Sequence, residues 1–552
     1  MRVPPRSRAA NPGRARRGSA LFILLLLVSL GVAAFDVYAV AIHAPQNSDA
    51  VQSFLEARWV LGGNVLLSGW HLTRDNFVFT DLPFFVAARW VFGPWPGSLA
   101  VVPALIYVLI LGTALAAALD SLRLSGRNVI ALAMIILLLG LPAAGPYLPM
   151  LVADTHAAGI LLSLLAFLLL AALERAEHIR ERPWTALALA ATTYAAVAGD
   201  FFPVFYAVLP ALLVLGIDHL LRPRRITAGM IAILVVASVL GGLTPVAIAH
   251  LGGFATEQTL MFRVVTQQHL GRAIAGFFFG LLKLAGADIF GKDFGKAGLI
   301  AGTVANTARL AGWCLGGVAV SRMILGRRRR AGIAFFDRLL LLSIAALTPF
   351  CILSHMFDLA LSGTVDPFAG DAALRYLSPI VVFGAVLAAR AGAGMVASLP
   401  TRQFRIVVAG ALVTLTLGLA AGHSARMARL MAVPPWTADN PFVKVATVLE
   451  QRHLTYGTGE YWVASIVTAL TQGKVAVRAV QALPGGRRLQ PYLWLATERW
   501  YDPARKPMFV IWRDGDPWHN VNASTVTATY GAPARIIRVD DFEIAILHRP
   551  PK

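Results

Sequence analysis

Apolar stretches of about twenty residues recur along the first 425 positions of the chain, separated by short polar segments. As a helix rising about 1.5 Å per residue, each is long enough to cross the ~30 Å core of a bilayer. The pattern predicts spans near 19–43, 97–119, 128–147, 157–173, 183–199, 203–221, 227–249, 299–325, 339–361, 375–394 and 405–424, eleven in all. Beyond residue 425 the pattern changes. Pro434-Pro435 and Asn440-Pro441 mark a linker, and the periods that follow are those of a small mixed domain. Helices are expected over Phe442–Arg452 and Tyr461–Leu470, and strands over Val475–Val480, Met508–Trp512, Ala534–Val539 and Phe542–Leu547. The expected fold class is an α-helical polytopic membrane protein with a C-terminal α/β domain. Its parts are a basic tail (1–18), a transmembrane domain (19–425) and the α/β domain (426–552), the last long enough to bury a modest core. No repeat of fixed period, as a transporter built from two halves would show, is visible.

Two long polar interruptions break the apolar rhythm. The first, within 44–96, is the stretch Asn47–Phe85, which carries Asp49, Glu56, Asp75 and Asp81 among Trp59, Trp70, Phe77 and Phe79. A helix is expected over Ala50–Leu61. A loop that merely joined two helices could be a few residues long. The second, 250–297, has helix-like apolar spacing with Arg263, His269, Arg272 and Lys283, too polar to span, and reads as amphipathic helix at the membrane interface. Shorter breaks at Pro142–His156 and Gly199–Pro203 leave Asp154, His156 and Asp200 near the same face.

Composition agrees: 57% of residues are hydrophobic and 14% charged, which excludes an ordinary soluble protein. The net charge of +20 would suggest nucleic acid in a soluble chain, but here the arginines sit in alternate short loops. They fall in the N-terminal tail, at Arg123 and Arg127, at Arg175–Arg182, at Arg222–Arg225, at Arg327–Arg330 with Arg338, and at Arg390–Arg405. The positive-inside rule then places the tail in the cytoplasm of a bacterial inner membrane and the C-terminal domain outside, with no role for nucleic acid. Cys314 and Cys351 both lie in apolar runs and read as small buried hydrophobes rather than a disulfide or metal pair.

The outer face therefore gathers acids (Asp49, Asp75, Asp81, Asp154, Asp200) and bases (His156, Arg263, Arg272, Arg309, Arg375). Charged side chains at membrane depth are costly, so such a collection is a functional candidate. A carboxylate can deprotonate an incoming hydroxyl, a cation can stabilise a departing phosphate, and Trp70 could stack on a sugar. Competing structural roles exist: Asp49 as helix cap, Asp75 and Asp81 as turn residues, Arg375 and Tyr376 as interfacial anchors. Tyr456–Trp462 (YGTGEYW) has two glycines but no evident strand-to-helix context, so it reads as domain core or a docking edge rather than a nucleotide site. No cofactor is called for, although the acidic set leaves room for a divalent cation.

Three short motifs carry a family resemblance. NSDAV at Asn47–Val51 places an acid soon after the first span, GNVLLSGW follows at Gly63–Trp70, and RYLSP at Arg375–Pro379 opens a late span. In this layout the chain resembles the GT-C membrane glycosyltransferases, among them protein O-mannosyltransferases, the aminoarabinose transferase of lipid A and oligosaccharyltransferases. The resemblance implies transfer of a sugar from a polyprenyl-phosphate carrier to a glycan, lipid or protein acceptor of the cell envelope, on the outer side of the membrane. It implies Asp49 as catalytic base and Arg375 as carrier-phosphate ligand. Trp70, Asp75, Asp81, Asp154, His156, Arg263, Arg272, Arg309 and Tyr376 are the further candidates for substrate contact. The adjacent Asp-Glu pair of the mannosyltransferases and a WWDYG-type stretch are both missing, which leaves the acceptor open. The competing expectations are a lipid or polysaccharide transporter, and an envelope assembly protein without catalytic activity.

Overall fold

The computed structural model describes residues 12–43, 48–142, 149–151, 154, 156–257, 264–289, 297–327, 333–354, 373–433, 440–483, 485–513 and 520–548. The chain is mostly helical. The helices at the predicted span positions are α1 (Pro12–Ala41), α4 (Ser98–Ala118), α5 (Gly126–Ile135), α6 (Ala157–Leu173), α7 (Pro183–Gly199), α8 (Leu209–Leu221), α9 (Arg225–His250), α11 (Ala297–Arg327), α12 (Phe335–Leu353), α13 (Ser378–Ala397) and α14 (Arg402–Met431). Between them lie α2 (Gln52–Leu61), α3 (Leu82–Phe92) and α10 (Leu270–Leu284). Among the described residues, eight helices are long and apolar enough to cross a membrane, α8 by including the turn Val204–Val208 before it. That fits a membrane protein. The helices at 126–140, 157–173 and 183–199 reach at most 17 residues, about 25 Å, short of a full bilayer core.

Of the short helices, α6 is buried along most of its length, whereas α7 buries one face and leaves Trp184 and Leu187 exposed. Helix α7 packs on α6 and α9, and α13 packs on α5, α11 and α12. Helix α5 continues into a π-helical turn, Ile136–Gly140, whose wide winding frees carbonyls that need partners. Tyr107 Oη donates to the Leu139 carbonyl at 2.8 Å and Arg309 Nη2 donates to that of Leu141 at 2.9 Å.

Alternating helix directions give the bundle two ends of different chemistry. At one end, ion pairs tie helix termini together: Arg338 grips both carboxylate oxygens of Asp218, and Arg224 reaches Glu174. Arg390 Nε meets Asp337 at 2.5 Å while its Nη1 donates to the Ala117 carbonyl at 2.7 Å. The opposite end holds the termini that follow α1 and α7 and precede α6 and α13. There the first polar interruption folds down.

The C-terminal domain packs α15 (Pro441–Gln451), α16 (Tyr461–Leu470) and α17 (Ala523–Tyr530) with a six-stranded sheet. Its strands are β3 (Tyr456–Gly459), β4 (Ala476–Ala482), β5 (Leu489–Pro491), β7 (Phe509–Arg513), β8 (Arg535–Val539) and β9 (Phe542–Ile546), ordered β5-β4-β3-β7-β9-β8. The central β3 is parallel to both neighbours, β4 and β7. It leads directly into α16, so YGTGEYW does stand at a strand-to-helix turn, contrary to the sequence expectation. The Asn522 side chain caps α17 by accepting from Ser524 and Thr525 N–H.

A second, three-stranded sheet fastens three distant parts of the chain. Strand β1 (Trp70–Leu72) pairs in parallel with β2 (Ala255–Thr256) and antiparallel with β6 (Ala496–Thr497) of the C-terminal domain. Strands this short carry no readable periodicity, which is why the sequence did not announce them. Helix α10, with Ala273, Phe277 and Leu284 buried and Phe278, Phe279 and Arg272 exposed, is the amphipathic helix expected in the second interruption. Cys351 is buried as expected, whereas Cys314 is exposed on the surface of α11; both are free thiols.

Candidate functional site

The first interruption is organised by the end of α7. The last carbonyls of a helix have no partner within it. Here the loop supplies them: Phe77 N–H donates to the Gly199 carbonyl at 2.7 Å and Asn76 Nδ2 to that of Ala198 at 3.0 Å. In return Asp75 Oδ1 accepts from Phe201 N–H at 3.2 Å. The approach is so close that a Cβ at Gly199 would lie 2.9 Å from the Thr80 backbone nitrogen. Phe77, Asp154 and His156 have positive φ (+55°, +58° and +68°), a costly conformation for non-glycine residues that surrounding contacts must enforce.

These contacts bring the acids together. His156 Nδ1 lies 2.9 Å from Asp200 Oδ2, and both residues are buried. Gly159 makes the approach feasible, since a Cβ there would lie 2.6 Å from the same Asp200 oxygen. Burial works against the His156 imidazolium, but the charges of Asp200 and Asp75 outweigh it and hold the ring above its ordinary value. Loss of water, then the charge of Asp200, pushes Asp75 up. Asp154 accepts from both Ser53 Oγ (2.6 Å) and Ser53 N–H (3.1 Å). Burial and its neighbour Asp81 push Asp154 well above the carboxylate range. Burial likewise lifts Asp81 to about 7 and Glu56, hydrogen-bonded to Gln52 at 2.5 Å, to about 8. Loss of water thus favours the protonated form of each of these carboxyls.

Asp49 differs from them. It is half-buried, and its backbone carbonyl, not its side chain, meets the start of α2, whose N-cap is Val51 with no side-chain bond. The capping role therefore falls away. The Asp49 carboxylate instead accepts a short hydrogen bond from the hydroxyl of Tyr461, the first residue of α16. Arg375 lies within electrostatic reach of Asp49 and Asp75. Its Nη2 is 3.4 Å from Tyr376 Oη, and its Nε has no hydrogen-bond partner among the described residues. The Tyr376 ring packs 5.1 Å from His156 and 5.3 Å from Phe202.

Seven expected site residues thus converge: Asp49, Asp75, Asp81, Asp154, His156, Arg375 and Tyr376. Three do not. Trp70 is fully buried, edge-on to Trp59 at 6.2 Å and to Trp500 at 5.1 Å, so it joins the two domains and offers no face to a sugar. Arg309 is buried within the bundle on the π-helical turn of α5, a structural partner rather than a substrate ligand. Arg272 is exposed on α10, in a different element from the cluster. Arg263 lies outside the described residues. Asp81 and Asp154 join the cluster, but their burial turns them towards the protein rather than towards a substrate. Sequence reading passed over Ser53 and Asn76 and took Tyr461 only as domain core or a docking edge; their polar contacts run between segments more than 100 positions apart and leave no local signal. It also passed over Asp36, buried in α1 and hydrogen-bonded by Ser424 at 2.8 Å.

Asp75, His156 and Asp200 each offer a ligand atom within 4.8 Å of the others, a set whose oxygen and imidazole donors suit a divalent cation. The His156–Asp200 hydrogen bond engages two of those atoms with each other. In comparisons with known proteins, no family model matches the chain and no curated protein matches it.

Proposed function

We propose that the protein is an inverting membrane glycosyltransferase that uses a polyprenyl-phosphate sugar. The observation that carries this reading is the convergence, at one end of an apolar helical bundle, of the half-buried carboxylate Asp49, held by the Tyr461 hydroxyl, and the half-buried cation Arg375 within electrostatic reach of it. In the reaction an acceptor hydroxyl oxygen forms a bond to the anomeric carbon while the bond from that carbon to the phosphate oxygen breaks. The electron pair leaves on the phosphate, which Arg375 stabilises, and the hydroxyl proton passes to Asp49. A phosphate leaving group needs no strong general acid, so one carboxylate and one cation suffice. The buried acids around Asp154 and the His156–Asp200 pair fix the loops that carry these two groups.

In this reading all eleven helices at the predicted positions span the membrane, the three short ones through a locally thinned or polar-lined section. The arginine-rich end is cytoplasmic, the acidic end and the C-terminal domain lie outside, and α10 rests in the interface where the lipid carrier approaches. The acceptor is a cell-envelope glycan, lipid or protein. The test is incubation of purified protein with a polyprenyl-phosphate sugar and candidate acceptors. Release of polyprenyl phosphate together with a product of inverted anomeric configuration supports the reading. Movement of the intact lipid between leaflets of a proteoliposome, without release, would establish a transporter instead.

A further inference from the structure

Tyr461 of the C-terminal domain reaches the candidate base. Tyr461 donates its hydroxyl hydrogen to Asp49 Oδ1, and its backbone carbonyl accepts from Ser48 Oγ at 2.5 Å. Two consecutive loop residues are therefore bound to the two ends of a single tyrosine. Tyr461 is 3% exposed, and burial, reinforced by the charge of Asp49, holds its phenol well above its ordinary value, so that it stays a donor.

The placement of this tyrosine is rigid. It opens α16 directly after β3, the strand at which the parallel sheet branches to β4 on one side and β7 on the other. The preceding Glu460 N–H is bonded to the Ile511 carbonyl of β7 at 2.9 Å. The ring is wedged against Trp462 (5.0 Å) and Tyr492 (5.6 Å). The domain itself is fastened to the first loop by the β1–β6 pairing and by Trp500 against Trp70. A side chain supported in this way can hold a partner's orientation to within a fraction of an ångström, which reactions between aligned groups require.

We infer that Tyr461 is a positioning residue for Asp49, and that docking of the C-terminal domain completes the active site. The inference rests on the reading of Asp49 as base. The tyrosine engages one carboxylate oxygen and thereby turns the other towards the acceptor hydroxyl. The domain is then part of the catalytic assembly rather than an appendage that only recruits acceptors.

The experiment is Tyr461→Phe in the full-length purified protein, which removes the hydroxyl and keeps the ring. We expect kcat for sugar transfer to fall by about ten- to a hundredfold, the scale of a lost hydrogen bond to a charged group, with KM for the donor within about twofold. A purely structural tyrosine would lower the melting temperature and leave this split unmoved. A second readout needs no turnover: carbodiimide labelling of Asp49, followed by mass spectrometry, should rise several-fold in the Phe variant. Unchanged kcat together with unchanged labelling, in a protein whose Asp49→Asn variant is inactive, overturns the inference and leaves the base intact. If Asp49→Asn is itself active, the reading of the base fails, and the labelling result alone decides whether Tyr461 orients this carboxylate.

Discussion

Arg375 and Asp49 are a part-buried cation and a part-buried carboxylate within electrostatic reach of each other, and the consequences are specific to each side chain. Arg375→Lys keeps the charge but loses the planar fork that can hold a phosphate through two parallel bonds. It should raise the apparent KM for the lipid-phosphate donor by about tenfold, the scale of a single charge-assisted hydrogen bond. Unchanged donor KM would place the phosphate elsewhere. Glu56 makes a prediction of opposite kind. Burial lifts it from an ordinary carboxylate to about 8 in the folded chain. A group raised on folding contributes stability below its unfolded value and loses it as pH climbs through the folded value. The protein should therefore lose stability between about pH 4.5 and 8, by up to ~1.4 kcal/mol per pH unit from this group. Asp81, raised to about 7, adds to the same slope. Glu56→Gln should flatten it, measured as thermal melts across that range; an equally steep slope would show that Glu56 is ionised in the fold.

At the scale of elements, the decisive feature is the three-stranded junction in which β1 is held between β2 and β6. Trp70 sits at its centre against Trp500, so Trp70→Ala should cost about 3–5 kcal/mol and speed proteolytic release of the C-terminal domain. Release at the wild-type rate would show that the junction does not hold the domain. Long apolar periods made the bundle legible from sequence; Tyr461–Leu470 was legible as an apolar run buried nearly throughout, and Leu270–Leu284 because one face of it is buried. The junction was not, because strands of two or three residues carry no period and their partners lie hundreds of positions away. The same reason hid Ser53 and the contact of Tyr461 with Asp49. Acids at loop positions were readable as candidates, but which of them face solvent is decided by tertiary burial. Asp154 and Asp81 are enclosed while Asp49 is left half open, a distinction no single stretch of sequence contains.

For the whole molecule, ion-paired arginines at one end and an acidic cluster at the other give the bundle a polarity that a membrane would read. Single cysteines in the C-terminal domain should react with an impermeant maleimide in intact cells, and a cysteine near Arg327 should react only after permeabilisation. The reverse pattern would put the acidic cluster in the cytoplasm and remove the lipid-linked donor from the account. The most direct test is Asp49→Asn, assayed for transfer from a polyprenyl-phosphate sugar alongside a thermal melt. Asn retains an acceptor oxygen for the Tyr461 hydroxyl, so the C-terminal domain should stay docked and the melt should be unchanged. With no carboxylate to take the proton, transfer should fall by at least about a hundredfold. Full activity in this variant would contradict the account, because the base would then have to be another group.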